Sequence, residues 1–178
     1  MGQKCVFLDR DGVLNVDRVD YVYRLQEFII PPGVPEALQA LKQAGYLLIV
    51  ITNQSGIAKG IYERKDVYMI HEAIQQGTGV VLDDLYFCPY HEKFDSHSLT
   101  RKPGSLLIEK AAAKYEVDIS ASFMVGDHER DIIAGTRAGL RTIRIAPAGT
   151  ETHATHLVPD LLAASTLILS RLKGAPKY

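Results

Sequence analysis

The chain has 178 residues, 47% of them hydrophobic, 23% charged and 8% aromatic, the profile of an ordinary soluble globular protein, which excludes collagen-like, disordered and membrane-embedded classes. That length fits a single domain spanning 1–178, large enough to bury a core without disulfides or a structural metal. Twenty Lys and Arg against 21 Asp and Glu give a net charge of −1, so the chain lacks the positive field of a nucleic-acid binder and must hold any anionic ligand locally.

The first residues, Met1-Gly2-Gln3-Lys4, show none of the basic, hydrophobic and small-residue pattern of a signal peptide, and no apolar stretch approaches the roughly 20 residues of a membrane span. Of the two cysteines, Cys5 sits in an apolar run and reads as a small buried hydrophobe, which suits a reducing compartment such as the cytosol. Residues 5–8 predict a buried strand that ends in Asp9-Arg10-Asp11-Gly12. From 33 to 44, Val34, Leu38 and Leu41 recur at helical spacing, with prolines at 31, 32 and 35 at the start and Gly45 as a stop. Residues 46–51 predict a second buried strand, broken by Thr52-Asn53-Gln54-Ser55-Gly56.

Further on, 63–76 reads as a helix and 82–88 as a strand, whereas 89–103 is polar and without period. Residues 105–115 predict a helix, 122–125 a strand ending in Gly126-Asp127-His128-Glu129, 131–138 a helix stopped by Gly139, and 141–146 another strand. A last helix over 161–172 is expected at the edge. Strands alternating with helices predict an α/β fold, a doubly wound and mainly parallel sheet, whose ligands bind beyond the carboxyl ends of the strands.

The polar clusters fall at those ends. Asp9 and Asp11 repel each other unless a cation or a shared proton neutralises them, and all-oxygen ligation suits Mg²⁺; two solvated turn aspartates are the bland alternative. Thr52 through Gly56 offers hydroxyl, amide and backbone donors for phosphate oxygens, or is an ordinary polar turn. Arg101 and Lys102 precede a helix, where Lys102 can neutralise a transferring phosphoryl group, or are a solvated pair. Asp127, with Asp131 four residues on, can complete the metal site, or Asp127 is a helix N-cap.

Taken together and in order, these clusters resemble the haloacid dehalogenase-like phosphatases. The phrases FLDRDGVLN, ITNQSGIAKG, RKPG and MVGDHERDI carry the resemblance over about residues 5–146. It is similar within them to the group holding D,D-heptose 1,7-bisphosphate phosphatase and histidinol phosphatase. The resemblance implies a Rossmann-like domain without an inserted cap of about 60 residues or more, whose open site admits compact sugar phosphates. It further implies Mg²⁺-dependent removal of the C7 phosphate of D-glycero-D-manno-heptose 1,7-bisphosphate in bacterial surface synthesis, by a cytoplasmic monomer with no nucleic-acid or membrane partner. Histidinol phosphate is the rival substrate, and a non-catalytic phosphosugar-binding protein the rival class.

By the same resemblance Asp9 is the nucleophile and Asp11 the acid and base, with Thr52 and Lys102 on the phosphoryl oxygens. Asn53, Gln54, Ser55 and Arg101 contact substrate, and Mg²⁺ is held by Asp9, the Asp11 backbone carbonyl and Asp127. Residues 17–21 line the entrance, and His128 stands where relatives often carry Lys. Many relatives hold a structural zinc before the Arg-Lys pair. Here Cys88 is kept, but Tyr90, Ser98 and Thr100 stand at the other ligand positions, so the usual zinc site is gone. A rebuilt site from Cys88, His91 and His97 is the alternative to solvated histidines. Without zinc, 89–100 is expected to be held by packing or to be loosely ordered.

Overall fold

Every position of β1 (Cys5–Leu8) is apolar because both of its faces are covered. Val6 and Leu8 point into a cluster with Leu38, Leu41, Ile70, Ile74 and Ile168, while Cys5 and Phe7 point the other way, to Ile108, Ala111, Ala134 and Leu140. The computed structural model describes residues 2–173, and the side chains of residues 2–170. The ends of the expected 1–178 unit, residue 1 and residues 174–178, lie outside the described residues.

β2 (Leu47–Asn53) and β4 (Phe123–Gly126) divide their side chains between the same two clusters and flank β1 in parallel. With β3 (Asp84–Cys88), β5 (Arg141–Ile145) and β6 (His156–Val158) they form a six-stranded parallel sheet of order β3-β2-β1-β4-β5-β6. Helices α1 (Val34–Gln43), α2 (Arg64–Thr78) and α5 (Leu161–Lys173) cover one face, and α3 (Leu106–Lys114) and α4 (Glu129–Arg137) the other. Each wholly buried Leu or Ile in these layers contributes about 1.5–3 kcal/mol relative to exposure.

The chain builds outward from β1 through β2 to β3, then returns to β1's other side to start again at β4. That reversal opens a crevice beyond the carboxyl ends of β1 and β4. Leu8 pairs in register with Val50 and Val125, so the residues just past them emerge at one level of one rim.

The elements differ from expectation in several details, among them β2, which runs on through Thr52 and Asn53 rather than ending at 51. The sheet is wholly parallel among the described residues, and it carries an edge strand, β6, that the sequence pattern does not announce. β3 begins at Asp84 rather than 82, because the Leu82 N–H donates to Gln75 Oε1 (2.9 Å) and Asp83 accepts from the Leu48 N–H and from Lys42. Helix α4 begins at Glu129 rather than 131, because the Asp131 carboxylate accepts from the His128 N–H. Among the described residues no helix is long and apolar enough to cross a membrane.

Candidate active site

Asp9 follows β1 directly and is fixed by its own backbone, whose N–H donates to Val125 O at 2.9 Å. Its carboxylate accepts from the Arg10 N–H (2.7 Å) and lies 2.9 Å from Lys102 Nζ. Lys102 arrives from the loop ahead of α3 and is 2% exposed. Its ammonium donates to Ile51 O (2.7 Å) and is ion-paired with Asp9 Oδ1 and with Asp131 Oδ1 (2.7 Å). A cation buried this deeply is tolerated because it is fully paired. Burial alone would drag the ammonium's pKa down, but Asp131 and Asp9 hold it above its ordinary value.

Asp131 has two duties. Its Oδ2 accepts from the His128 N–H at 3.0 Å, which starts α4 at Glu129, while Oδ1 faces Lys102. His128, not Asp127, therefore occupies the N-cap position, and the capping alternative for Asp127 falls away. Asp127 instead turns towards the turn after β1. Gly12 there has φ +81°, and a Cβ on it would lie 2.2 Å from Asp127 Oδ2, so only glycine leaves room for this carboxylate.

Asp127 Oδ1 is buried with no hydrogen-bond partner, and one carboxylate oxygen each from Asp9, Asp127 and Asp131 fall within 4.8 Å of one another. Burial, with the Asp131 charge next, pushes the Asp9 carboxyl up to about 7; burial likewise raises Asp127 to about 6. Three carboxylates facing a single ammonium need a further cation, and an orphaned buried oxygen within an all-oxygen donor set fits a hard divalent ion. Asp131 Oδ2 caps α4 and its Oδ1 is ion-paired with Lys102, whereas Asp127 Oδ1 has no hydrogen bond and, with Asp9, would face such an ion. A second converging group, Asp17, Asp127 and His128, lies on the outer side, with His128 Nε2 3.7 Å from Asp127 Oδ2.

The Asp11 carboxylate is not one of the three from Asp9, Asp127 and Asp131. Its Oδ1 accepts from Arg10 Nε (3.1 Å), Arg10 Nη2 (2.8 Å) and Asn15 Nδ2 (3.0 Å), and its Oδ2 accepts from Gln54 Nε2 (3.0 Å). Arg10, buried and otherwise bonded to Val22 O at 2.9 Å, joins this turn to the 16–28 segment. Thr52 Oγ1 accepts from Gln54 Nε2 at 2.9 Å, so the threonine's own hydroxyl hydrogen is free to donate.

Two residues expected at the substrate also brace the site itself. Asn53 clamps the backbone of Lys102 at both ends of its amide, Nδ2 to Lys102 O and Lys102 N–H to Oδ1, each at 3.0 Å. Gln54 is 1% exposed and bonds Asp11, Thr52 and the hydroxyl of Tyr62, a residue the sequence reading passed over. Ser55 is 8% exposed on the same turn. Arg101 borders a small cavity of about 160 Å³ with Glu92, His97, Ser98, Lys102 and Pro103, and its Nη1 donates to Tyr90 O at 3.3 Å.

The 89–100 segment is fastened rather than loose. Thr100 Oγ1 donates to Cys88 Sγ at 3.2 Å and lies 2.7 Å from Ser98 Oγ, while Lys59 Nζ lies 5.1 Å from the Phe94 ring and 5.2 Å from the Tyr21 ring. Among the described residues, Cys88, His91 and His97 do not bring three ligand atoms together.

The family model described as HAD-hydrolase-like matches residues 99–172. The chain is 38% identical over 150 residues to the D-glycero-beta-D-manno-heptose-1,7-bisphosphate 7-phosphatase of Haemophilus ducreyi, covering 80% of this chain and 82% of that one. It is 35% identical over 184 residues to the enzyme of the same name from Photorhabdus laumondii, covering 99% and 95%. The crystal structure of D,D-heptose 1,7-bisphosphate phosphatase from B. bronchiseptica, complexed with magnesium and phosphate, superposes with a TM-score of 0.85 at 30% identity, over 94% of this chain and 99% of that one.

Proposed function

The chain belongs to the haloacid dehalogenase-like hydrolases, in the group of heptose-1,7-bisphosphate 7-phosphatases, and from that premise we propose that it hydrolyses the C7 phosphate of D-glycero-D-manno-heptose 1,7-bisphosphate. The observation that carries this reading is the buried Asp9 carboxylate set between Lys102 and Asp127, with Asp11 on the adjoining turn.

Asp9 attacks phosphorus, its oxygen bonding to phosphorus as the bond to the sugar oxygen breaks, and Asp11 gives its proton to that leaving oxygen. Water then attacks the phosphoryl group on Asp9, the Asp9–phosphorus bond breaks, and Asp11 takes the water's proton, restoring both carboxyl groups and releasing inorganic phosphate. The Thr52 hydroxyl donates to a phosphoryl oxygen and the Lys102 ammonium offsets the charge on it. The Asp9 and Asp127 carboxylates and the Asp11 carbonyl would hold Mg²⁺, which when bound would supply Lewis-acid neutralisation of the phosphate. Asn53 keeps the Lys102 backbone in place, Ser55 lines the phosphate turn, and Arg101, at the outer cavity, suits a sugar hydroxyl or the second phosphate. A cytoplasmic monomer formed by residues 1–178 as one domain, acting on a diffusible phosphosugar, completes the reading.

The test is a phosphate-release panel with Mg²⁺ on both anomers of the heptose bisphosphate, histidinol phosphate and p-nitrophenyl phosphate, with Asp9→Asn as control. A clear preference for one heptose anomer is expected. Preference for histidinol phosphate would reassign the substrate, and equal release by Asp9→Asn would remove the nucleophile.

A further inference from the structure

Tyr62 stands behind the site, 6% exposed, with its hydroxyl 2.6 Å from Gln54 Oε1. Its ring has a built seat. Tyr23 stacks on it at 5.3 Å, Tyr21 meets it edge-on at 5.9 Å, and a Cβ on Gly56 would come within 2.0 Å of its Cε1. The same Gln54 amide donates from its other end to Asp11 Oδ2 and Thr52 Oγ1.

An amide can sit either way round, and here the two orientations are chemically unlike. Reversed, Gln54 would turn its carbonyl oxygen on the Asp11 carboxylate, acceptor against acceptor. In the observed orientation that carbonyl is buried and needs a donor, which the Tyr62 hydroxyl supplies. We infer that Tyr62 is a positioning residue that acts through Gln54, fixing the amide so that its N–H groups face Asp11 and Thr52. This rests on the phosphatase reading above and deepens it.

The consequence falls on proton delivery. Asp11 Oδ1 already receives three N–H donors, so Oδ2, which receives only the Gln54 N–H among the described residues, is the oxygen with room for a proton. Holding Gln54 in one orientation holds that oxygen towards the leaving group. Departure of a sugar alkoxide needs this proton, whereas p-nitrophenolate leaves without one.

Tyr62→Phe keeps the ring and its seat and removes only the hydroxyl. With the full chain and Mg²⁺, the variant should lose about tenfold in the single-turnover rate of sugar release from the heptose bisphosphate, with single-turnover release of p-nitrophenolate within about twofold of wild type, because leaving-group release precedes the Asp11-assisted attack of water that both esters share. In a Gln54→Ala background the same change should cost nothing further. Equal losses on both esters, no loss on either, or a full additional loss in the Gln54→Ala background would overturn the inference. Should the wild type release phosphate from no ester, the proposed function fails, and nitrogen-15 NMR decides the orientation claim alone. Gln54 side-chain hydrogens that exchange slowly in wild type and faster in Tyr62→Phe uphold it, and equal exchange refutes it.

Discussion

Lys102 Nζ and Asp131 Oδ1 lie 2.7 Å apart with both side chains buried, and the other oxygen of the same carboxylate starts helix α4. The loop carrying Lys102 and the helix after β4 are thus locked by one side chain. Lys102→Met removes the cation and leaves Asp9 and Asp131 buried without it. The expected cost is about 3–5 kcal/mol in urea unfolding of the metal-free chain, as for other broken buried pairs. Phosphate release should fall by at least about 10²-fold, and a variant as stable as wild type would show that the pair carries no such weight.

Asp9→Asn keeps the shape of the nucleophile and removes its negative charge. Phosphate release should drop by at least about 10³-fold. In wild type, rapid acid quench during turnover should trap a phosphorylated peptide containing Asp9, detected by mass spectrometry. A trapped phosphoryl group elsewhere would move the nucleophile.

Removal of magnesium should make stability depend on pH in a defined direction. Burial raises the folded carboxyls of Asp9 to about 7 and Asp127 to about 6, above their unfolded values. Between about pH 4 and 7 the folded chain then binds more protons than the unfolded one, so metal-free stability falls as pH rises through that window. Magnesium competes with those protons. Its stabilisation, about 2.7 kcal/mol at a hundredfold excess over Kd, should be larger at about pH 8 than at about pH 5.5 in differential scanning fluorimetry. The opposite order of Tm shifts would place the ion elsewhere.

Thr100 ties the 89–100 segment to the end of β3 through Cys88. Thr100→Val keeps the volume and deletes the hydroxyl, which costs about 0.5–1.5 kcal/mol per hydrogen bond. Limited proteolysis should cut faster within 89–100 in the variant than in wild type. Elemental analysis of the purified protein should find less than one equivalent of zinc, and a full equivalent would give the segment a different anchor.

The parts legible in the sequence are those where one physical demand dominates. β1, β2 and β4 are covered on both faces, so each reads as an unbroken apolar run, and the polar residue that ends each run marks the rim. β6 escaped because an edge strand of three half-buried residues, His156 to Val158, carries no comparable pattern. The family resemblance makes Asn53 and Gln54 substrate contacts. A sequence does not reveal an amide's partners, which here include the Lys102 backbone for Asn53 and Asp11 for Gln54. Tyr62 was missed because an aromatic residue ahead of a helix looks like packing, which its ring is; only its hydroxyl reaches the site. Asp131 was seen as a partner of Asp127, but its double engagement appears only once β4 and the Lys102 loop are brought side by side.

The order β3-β2-β1-β4-β5-β6 draws Asp9, Thr52, Lys102 and Asp131 from four well-separated stretches of chain to one rim. No contiguous fragment owns the constellation, so turnover reports on completion of the whole sheet. During refolding, hydrolysis should return last, after backbone signals have recovered, and neither half of a chain divided between β3 and β4 can retain a fraction of it.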